Sequence, residues 1–434
     1  MHIPIETYHL PNGLRVTLSE DHTAPIVAVN LWYRVGSANE RAGRTGFAHL
    51  FEHMLFQGSA NVGANEHFEL VQRAGGTLNG STWLDRTNYF ETVPSHQLAL
   101  ALWLEADRMA RLLPAMTQEK LDTQRSVVKN ERLWSMDNQP YGTWWEKLPA
   151  LAFPPSHPYH HSLIGSMEDL DAASLDDVAE FFRTWYTPDN AVLTIAGDFD
   201  PGEAKRLVEA YYGPIPRGRG QPALPSFDAP ASFGPTPPRE VVPDDVPAAR
   251  VIVALRSPVF GSDGWYDAQL TAAVLGARRG SRLYRGLVRT RQIAVDVGAY
   301  TFDLSRGSDL LVVDITGAPG VSVETLEHAV HAQLDALQAL GVDDAELARA
   351  QALVETDLIR ALQSAGTRAD RLSQFATYLG DPHRLNGEPE RYRAVTTERV
   401  NAFAKARCGR DNRAVLAYVP RETSPQATAA EVSA

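Results

Sequence analysis

The chain has 434 residues, of which 44% are hydrophobic and 22% are charged, a composition typical of a globular protein with more than one domain. Its net charge of −12 argues against nucleic acids and anionic membranes as partners. The sequence contains no apolar run near the roughly 20 residues of a membrane-spanning helix, and its single Cys excludes an internal disulfide framework.

The N-terminal part of the chain leads quickly into strand-like sequence. Residues 1–4 lack the basic and apolar regions of a signal peptide. We therefore expect a cytoplasmic protein, although one Cys is equally compatible with a periplasmic one. The run of β-branched and aromatic residues from Ile26 to Tyr33 predicts a strand.

A helical segment with the pattern H-x-x-E-H follows this strand. Two His four residues apart, His49 and His53, share one face of a helix, and Glu52 leans toward the same side. This inverted zinc-protease pattern provides two imidazole ligands and a base that takes a proton from water. A His on an apolar helix face is often only a core residue. Between the apolar flanks 46–48 and 54–56, however, these three side chains would be costly to bury without a metal.

The next predicted strand lies at residues 77–82. An extended peptide could pair with its edge by β-augmentation, which would make Asn79, Gly80, Ser81 and Thr82 substrate-binding residues. An ordinary strand with a glycine kink explains the same residues equally well. The residues alone leave both interpretations open.

A catalytic zinc site usually takes three protein ligands and leaves a fourth position for water. Glu131, in the helical segment 121–131, is the better candidate for the third ligand, and Cys408 near the C-terminus is a poor one. A solvated helix carboxylate is the alternative interpretation of Glu131. His157, His160 and His161 indicate either a second metal site or, as we favour, surface His in a Pro-flanked loop.

Pro and Gly are concentrated between Pro214 and Pro243, which indicates an extended linker. The halves on either side repeat a similar order of elements, but the helix at 269–276 in the second half contains no metal-binding side chain. We predict an α+β fold with an N-terminal zinc-binding domain over residues 1–215, a linker over 216–243 and a homologous C-terminal domain over 244–434. The tail at 427–431 is expected to be frayed.

The sequence resembles the pitrilysin/insulinase family of inverted zinc metallopeptidases, which includes the mitochondrial processing peptidase. The resemblance rests on the H-x-x-E-H segment, on residues 75–82 and 87–89, and on 125–131, and it runs from residue 10 to residue 415. It implies two half-barrel-like domains, each an antiparallel-rich sheet with packed helices, that enclose a chamber. It also implies one zinc ion per chain on His49, His53 and Glu131, Glu52 as the general base, and substrate contact at Asn79, Gly80, Ser81 and Thr82.

Two features depart from the pattern of the family. Gln124 stands where many active relatives have a Glu that supports the metal ligands, so that a charge is missing there. Val288 and Val295 stand where many relatives carry an Arg and a Tyr that reach the substrate near the zinc. Their absence would leave the carbonyl oxygen of the substrate less stabilised.

Some relatives are heterodimers in which only one subunit carries zinc. The departures therefore predict that this chain is the zinc-bearing subunit and that a homologous subunit supplies the Arg and the Tyr. A homodimer is the alternative assembly.

We predict a zinc-dependent endopeptidase, a hydrolase of short or unfolded peptides bound in a crevice between two domains. A non-catalytic assembly subunit and a peptide-sequestering module are the alternatives. The intact Glu52 argues against a purely structural metal site, because such a site needs no base and closes its fourth position.

Overall fold

The computed structural model describes residues 2–222, 227 and 230–421. The tail predicted to be frayed and residues 223–226 and 228–229 of the predicted linker lie outside these described residues. Within them, every helix is too short or too polar to cross a bilayer.

The structure is mixed α/β, with two sheets. The strands of the first sheet are β1 (Glu6–His9), β2 (Arg15–Glu20), β3 (Ile26–Tyr33), β4 (Thr77–Thr82), β5 (Thr87–Pro94) and β6 (Ala191–Gly197). The strands of the second sheet are β7 (Arg239–Asp244), β8 (Arg250–Ser257), β9 (Ala294–Thr301), β10 (Asp309–Gly317) and β11 (Ala414–Pro420).

The first sheet has six strands in the order β1-β2-β6-β3-β5-β4, and the second has five in the order β7-β11-β8-β10-β9. Apart from the additional β1, the two sheets share one strand order. In each sheet one pair is parallel, β2 with β6 and β7 with β11. The remaining pairs are antiparallel. The predicted fold class, with antiparallel-rich sheets and packed helices, is confirmed, and the shared order agrees with the predicted internal repeat.

Helices follow the strands in both halves of the sequence. Those of the first half are α1 (Phe47–Met54), α2 (Glu66–Arg73), α3 (Leu98–Arg111), α4 (Gln118–Arg132), α5 (Trp144–Ala152), α6 (Met167–Asp171), α7 (Leu175–Trp185) and α8 (Pro201–Tyr212). Those of the second half are α9 (Asp263–Gly276), α10 (Val323–Leu340), α11 (Asp344–Leu362), α12 (Ala365–Gln374), α13 (Glu388–Arg393) and α14 (Thr397–Arg407).

The chain divides into two compact units, each assembled from three segments. The first unit comprises Met1–Arg132, Pro155–Phe227 and Leu353–Ala394, and the second comprises Leu133–Pro154, Asp228–Ala352 and Val395–Ala434. Both units therefore draw on sequence from both sides of the expected linker, and β7 begins within its last residues. The domain boundaries at residues 215 and 244 stay a prediction.

The helix α12 packs on the first sheet although it lies far from those strands in the sequence. Small side chains make this possible, because Ala365 and Ala369 meet Ala28 and Ala196 and let the helix approach the sheet closely. Asp370 then accepts a hydrogen bond of 3.0 Å from the indole Nε1 of Trp32 and others from two Asn side chains of the sheet.

A buried ionic cluster joins α2, β5 and α3 within the first unit. Arg108 donates hydrogen bonds to Glu105, and its guanidinium lies 4.1 Å from the ring centroid of Tyr89. His67 Nε2 lies 3.2 Å from Glu91 Oε1. Burial lowers the pKa of His67 and raises the pKa of Glu91. The cluster therefore holds a neutral His, a protonated Glu and one compensated ion pair.

Replacing Arg108 with Met should destabilise the protein by about 3–5 kcal/mol, because Glu105 would then keep an unpaired charge in the interior. Arg111→Met is the matched control on the same helix, since that side chain is 59% exposed, and it should cost less than about 1 kcal/mol. Urea unfolding followed by circular dichroism measures both changes. Equal midpoints for the two variants would contradict a role of the cluster in stability.

Candidate metal centre

The helix α1 carries the H-x-x-E-H pattern, and its apolar residues fix its orientation. Phe47, Leu50, Phe51 and Met54 are buried at helical spacing and form one continuous apolar face. The helix packs against both α4 and β4.

Three metal-type donors come together where α1 meets α4. His53 Nε2 lies 3.0 Å from Glu131 Oε2, His49 Nε2 lies 3.5 Å from the same oxygen, and the two Nε2 atoms are 3.4 Å apart. Only 9% of the His49 side chain is exposed, compared with 22% for His53 and 41% for Glu131. The three residues therefore form a small group that is closed on the His49 side and open beside Glu131.

This donor set fits zinc in composition and in spacing. Two ligands at about 2.0–2.2 Å from a tetrahedral zinc lie about 3.3–3.6 Å apart, close to the three observed distances. Hydrogen bonds from His49 and then His53 hold the pKa of the Glu131 carboxyl well below its usual range, so that it is anionic at neutral pH.

Glu52 lies beside these donors and is oriented by β4. The hydroxyl of Thr82 donates a hydrogen bond of 2.6 Å to Glu52 Oε2. Gly80 provides the space, because a Cβ there would lie 3.0 Å from Glu52 Cγ and 3.2 Å from the ring of Phe56. One oxygen of Glu52 therefore accepts a hydrogen bond that holds the side chain in place.

The four predicted substrate-binding residues all lie on β4, but they do not share one environment. Asn79 is exposed and accepts a hydrogen bond from the backbone of Gly80. Ser81 donates to the Asn88 side chain, and Thr82 contacts Glu52 instead of an open surface. Within the described residues, β4 pairs with β5 alone and is the last strand of its sheet.

A cleft of about 440 Å³ opens beside Glu52 and His53. Its wall includes Phe56 and Val127 as well as the amide of Gln124, which is buried. The predicted supporting residue therefore does lie near the donors, and it is neutral.

The other candidates of the sequence analysis are not part of this group. Burial raises the pKa of the Cys408 thiol to about 12, so that it stays protonated. Among the described residues, one further group has three metal-type donors close together, and it consists of His67, Glu91 and Glu105. The salt bridge of Arg108 with Glu105 places a positive charge there, which disfavours a cation.

The three His of the Pro-flanked loop belong to neither group. The expectation that they are surface residues is wrong for His157, which is buried and accepts a hydrogen bond from Tyr159 N. In the second compact unit, Val288 lies in a π-helical turn (Tyr284–Thr290) and Val295 lies on β9 with 56% of its surface exposed. The contact of Thr82 with Glu52 was not predicted from the sequence. A Thr at the end of the strand after the metal helix was the only available signal.

Two family models match consecutive parts of the chain. One, described as "Insulinase (Peptidase family M16)", matches residues 15–153, and one described as "Peptidase M16 inactive domain" matches residues 172–354. The first segment contains His49, Glu52, His53 and Glu131.

Individual relatives match along most of the chain. It is 29% identical over 377 residues to "Zinc protease PqqE" of Helicobacter pylori, with 86% of this chain and 83% of that protein covered. It is 25% identical to the beta subunit of the mitochondrial-processing peptidase of Blastocladiella emersonii, with 96% and 89% covered. A crystal structure of a protease from Helicobacter pylori superimposes with a TM-score of 0.90 at 25% identity, covering 97% of this chain and 100% of that one.

Replacing Glu131 with Gln should weaken zinc binding on the order of 100-fold or more, because a neutral amide replaces the anionic ligand and supporting residues alone change affinity 10–100-fold. Competition with a chromogenic chelator measures the dissociation constant. Glu119→Gln on the same helix is the control and should bind as the unchanged protein does. Equal affinity of both variants would exclude Glu131 as a ligand.

Proposed function

Because this chain belongs to the insulinase family of M16 peptidases, we propose that it is a zinc-dependent endopeptidase, with one zinc ion held by His49, His53 and Glu131. The observation that carries the proposal is the combination of three donors within 3.5 Å of one another and an adjacent Glu52. A structural site needs the donors but has no use for the base.

A zinc ion held by His49, His53 and Glu131 would polarise the peptide carbonyl and lower the pKa of water. Glu52 accepts the proton of the attacking water and delivers it to the nitrogen of the leaving amine. The hydrogen bond that Thr82 donates to Oε2 orients the carboxyl group of Glu52. Gln124 supplies a neutral hydrogen-bonding group beside the donors.

We propose that an extended peptide lies along β4 and pairs with its outer edge. The backbone of β4 would hold the substrate, while the exposed Asn79 contacts a substrate group directly. The apolar wall of the cleft, with Phe56, Phe68 and Val127, would receive an apolar side chain. Such binding requires an extended main chain and therefore favours short or unfolded peptides.

A non-catalytic or peptide-sequestering subunit is the alternative. The match of residues 172–354 to a model described as inactive favours it for that part of the chain. The segment that contains the donors and Glu52 matches the other model, which favours catalysis.

Replacing Glu52 with Gln should reduce kcat at least about 100-fold, the usual contribution of a general base, and should leave zinc content unchanged. A quenched fluorescent peptide measures turnover, which should also be lost with a chelator and restored by zinc. Glu69→Gln, an exposed residue of α2, is the control. Full activity of Glu52→Gln with zinc bound would contradict the role as base, and an inactive unchanged protein would favour the alternative function.

We further propose that this chain is the zinc-bearing subunit of a heterodimer. One relative is itself named as a subunit, the beta subunit of the mitochondrial-processing peptidase. Val288 and Val295 provide no hydrogen-bond donors for an oxyanion, so that a homologous subunit with an Arg and a Tyr at these positions would supply them. A homodimer is the alternative assembly.

Adding such a homologous subunit from the same organism should raise kcat by about 100-fold, because one donor to the oxyanion contributes 10²–10³. The control is the same subunit with Val at both positions, which should bind without activating. Light scattering reports the assembly. An isolated chain that cleaves as fast as the mixture would contradict the partner proposal.

A further inference from the structure

The first turn of α1 begins without a side-chain cap of its own. Gly46 is the N-cap residue, with φ +84°, and it has no side chain that could bind the free backbone N–H groups of this turn. Glu40, six residues earlier, takes this role. Its Oε2 accepts a hydrogen bond of 2.8 Å from Gly46 N, and its Oε1 accepts one of 2.7 Å from Ala48 N.

The Glu40 side chain is completely buried, which distinguishes these bonds from an ordinary surface cap. Burial raises the pKa of its carboxyl group, while the backbone donors of Ala48 and Gly46 lower it. The two contacts need only two acceptor oxygens, which the carboxyl group supplies in either protonation state.

A second segment of the first unit packs on the same turn and fixes its backbone. A Cβ at Gly46 would lie 2.4 Å from the carbonyl oxygen of Ile164, and a Cβ at Gly165 would lie 2.3 Å from Gly46 N. Thr45 is held by two hydrogen bonds to Asp169, from its backbone N and its hydroxyl. The entry to α1 therefore has little freedom to shift.

His49 directly follows Ala48, and the N–H group of Ala48 donates a hydrogen bond to Glu40. Its buried Nδ1 has no hydrogen-bond partner among the residues that the structure describes. Metal-binding His residues are usually oriented by an acceptor at the second ring nitrogen. Because the described residues provide none for His49, the backbone of the first turn of α1 and the contact of Nε2 with Glu131 determine the position of its ring.

We propose that Glu40 is a positioning residue of the metal centre, which acts by fixing the first turn of α1 and thereby His49. The inference rests on the proposed function, since it requires that His49 binds zinc. It assigns a role in metal affinity and turnover to a residue that contacts neither the metal nor the substrate.

The Glu40→Gln variant tests this role with minimal change of shape. An amide has one acceptor oxygen, so that one of the two backbone N–H groups would face the NH₂ group instead. We expect zinc to bind about ten-fold or more weaker, in the range seen for residues that orient metal ligands, and kcat at saturating zinc to fall more than KM changes. The amides of Gly46 and Ala48 should exchange hydrogen faster.

Asp200→Asn is the matched control. Asp200 caps α8 in the same unit by accepting a 2.7 Å hydrogen bond from Glu203 N, and α8 contains no site residue. It should bind zinc as the unchanged protein does. Chelator competition, steady-state kinetics and hydrogen exchange are measured well below the unfolding temperature of each zinc-free variant, which circular dichroism determines first. This keeps a loss of global stability separate from a change at the site.

Zinc affinity and kcat of Glu40→Gln equal to those of Asp200→Asn would overturn the inference and leave the proposed function intact. A lower unfolding temperature with unchanged zinc affinity would also overturn it, because a merely structural role predicts that pattern. An unchanged protein that binds no zinc would contradict the proposed function and the inference together.

Discussion

Four apolar side chains on one face of α1 are buried in the first compact unit, and this packing leaves the helix one orientation. In that orientation His49 and His53 meet Glu131 of α4 at distances of 3.0 and 3.5 Å. Bringing two imidazoles and a carboxylate together in a partly buried place is unfavourable unless another group binds them. A divalent cation would satisfy all three at once. The proposed chemistry therefore depends on the packing of the hydrophobic face of α1.

The first unit contains a second group of His and Glu side chains, in which the charges are compensated inside the protein. In that group Arg108 compensates the charge of Glu105, and burial keeps Glu91 protonated and His67 neutral. In the group formed by His49, His53 and Glu131, the carboxylate of Glu131 contacts both imidazoles and is 41% exposed. The same residue types therefore stand in different surroundings, because the Arg108 guanidinium compensates the charge of the buried cluster, whereas the group at α1 and α4 is open to solvent beside Glu131.

The sequence predicted the local parts of this arrangement well. The spacing of His49, Glu52 and His53 identified one face of a helix, the strand at Ile26–Tyr33 matches β3, and the shared strand order agrees with the predicted repeat. The resemblance to a family, more than spacing, selected Glu131. The sequence could not reveal contacts set by tertiary packing. Among these are the approach of α12 to the first sheet, the bond between Thr82 and Glu52, and the reach of Glu40 to the start of α1.

The central claim is that one zinc ion occupies the place where α1 meets α4. Anomalous diffraction at the zinc edge from crystals of the zinc-loaded protein tests it most directly. We expect one strong peak within about 2.0–2.2 Å of His49 Nε2, His53 Nε2 and a Glu131 oxygen, with Glu52 outside the ligand set. A peak at the loop that contains His157 and His161, or no peak at these donors, would contradict it.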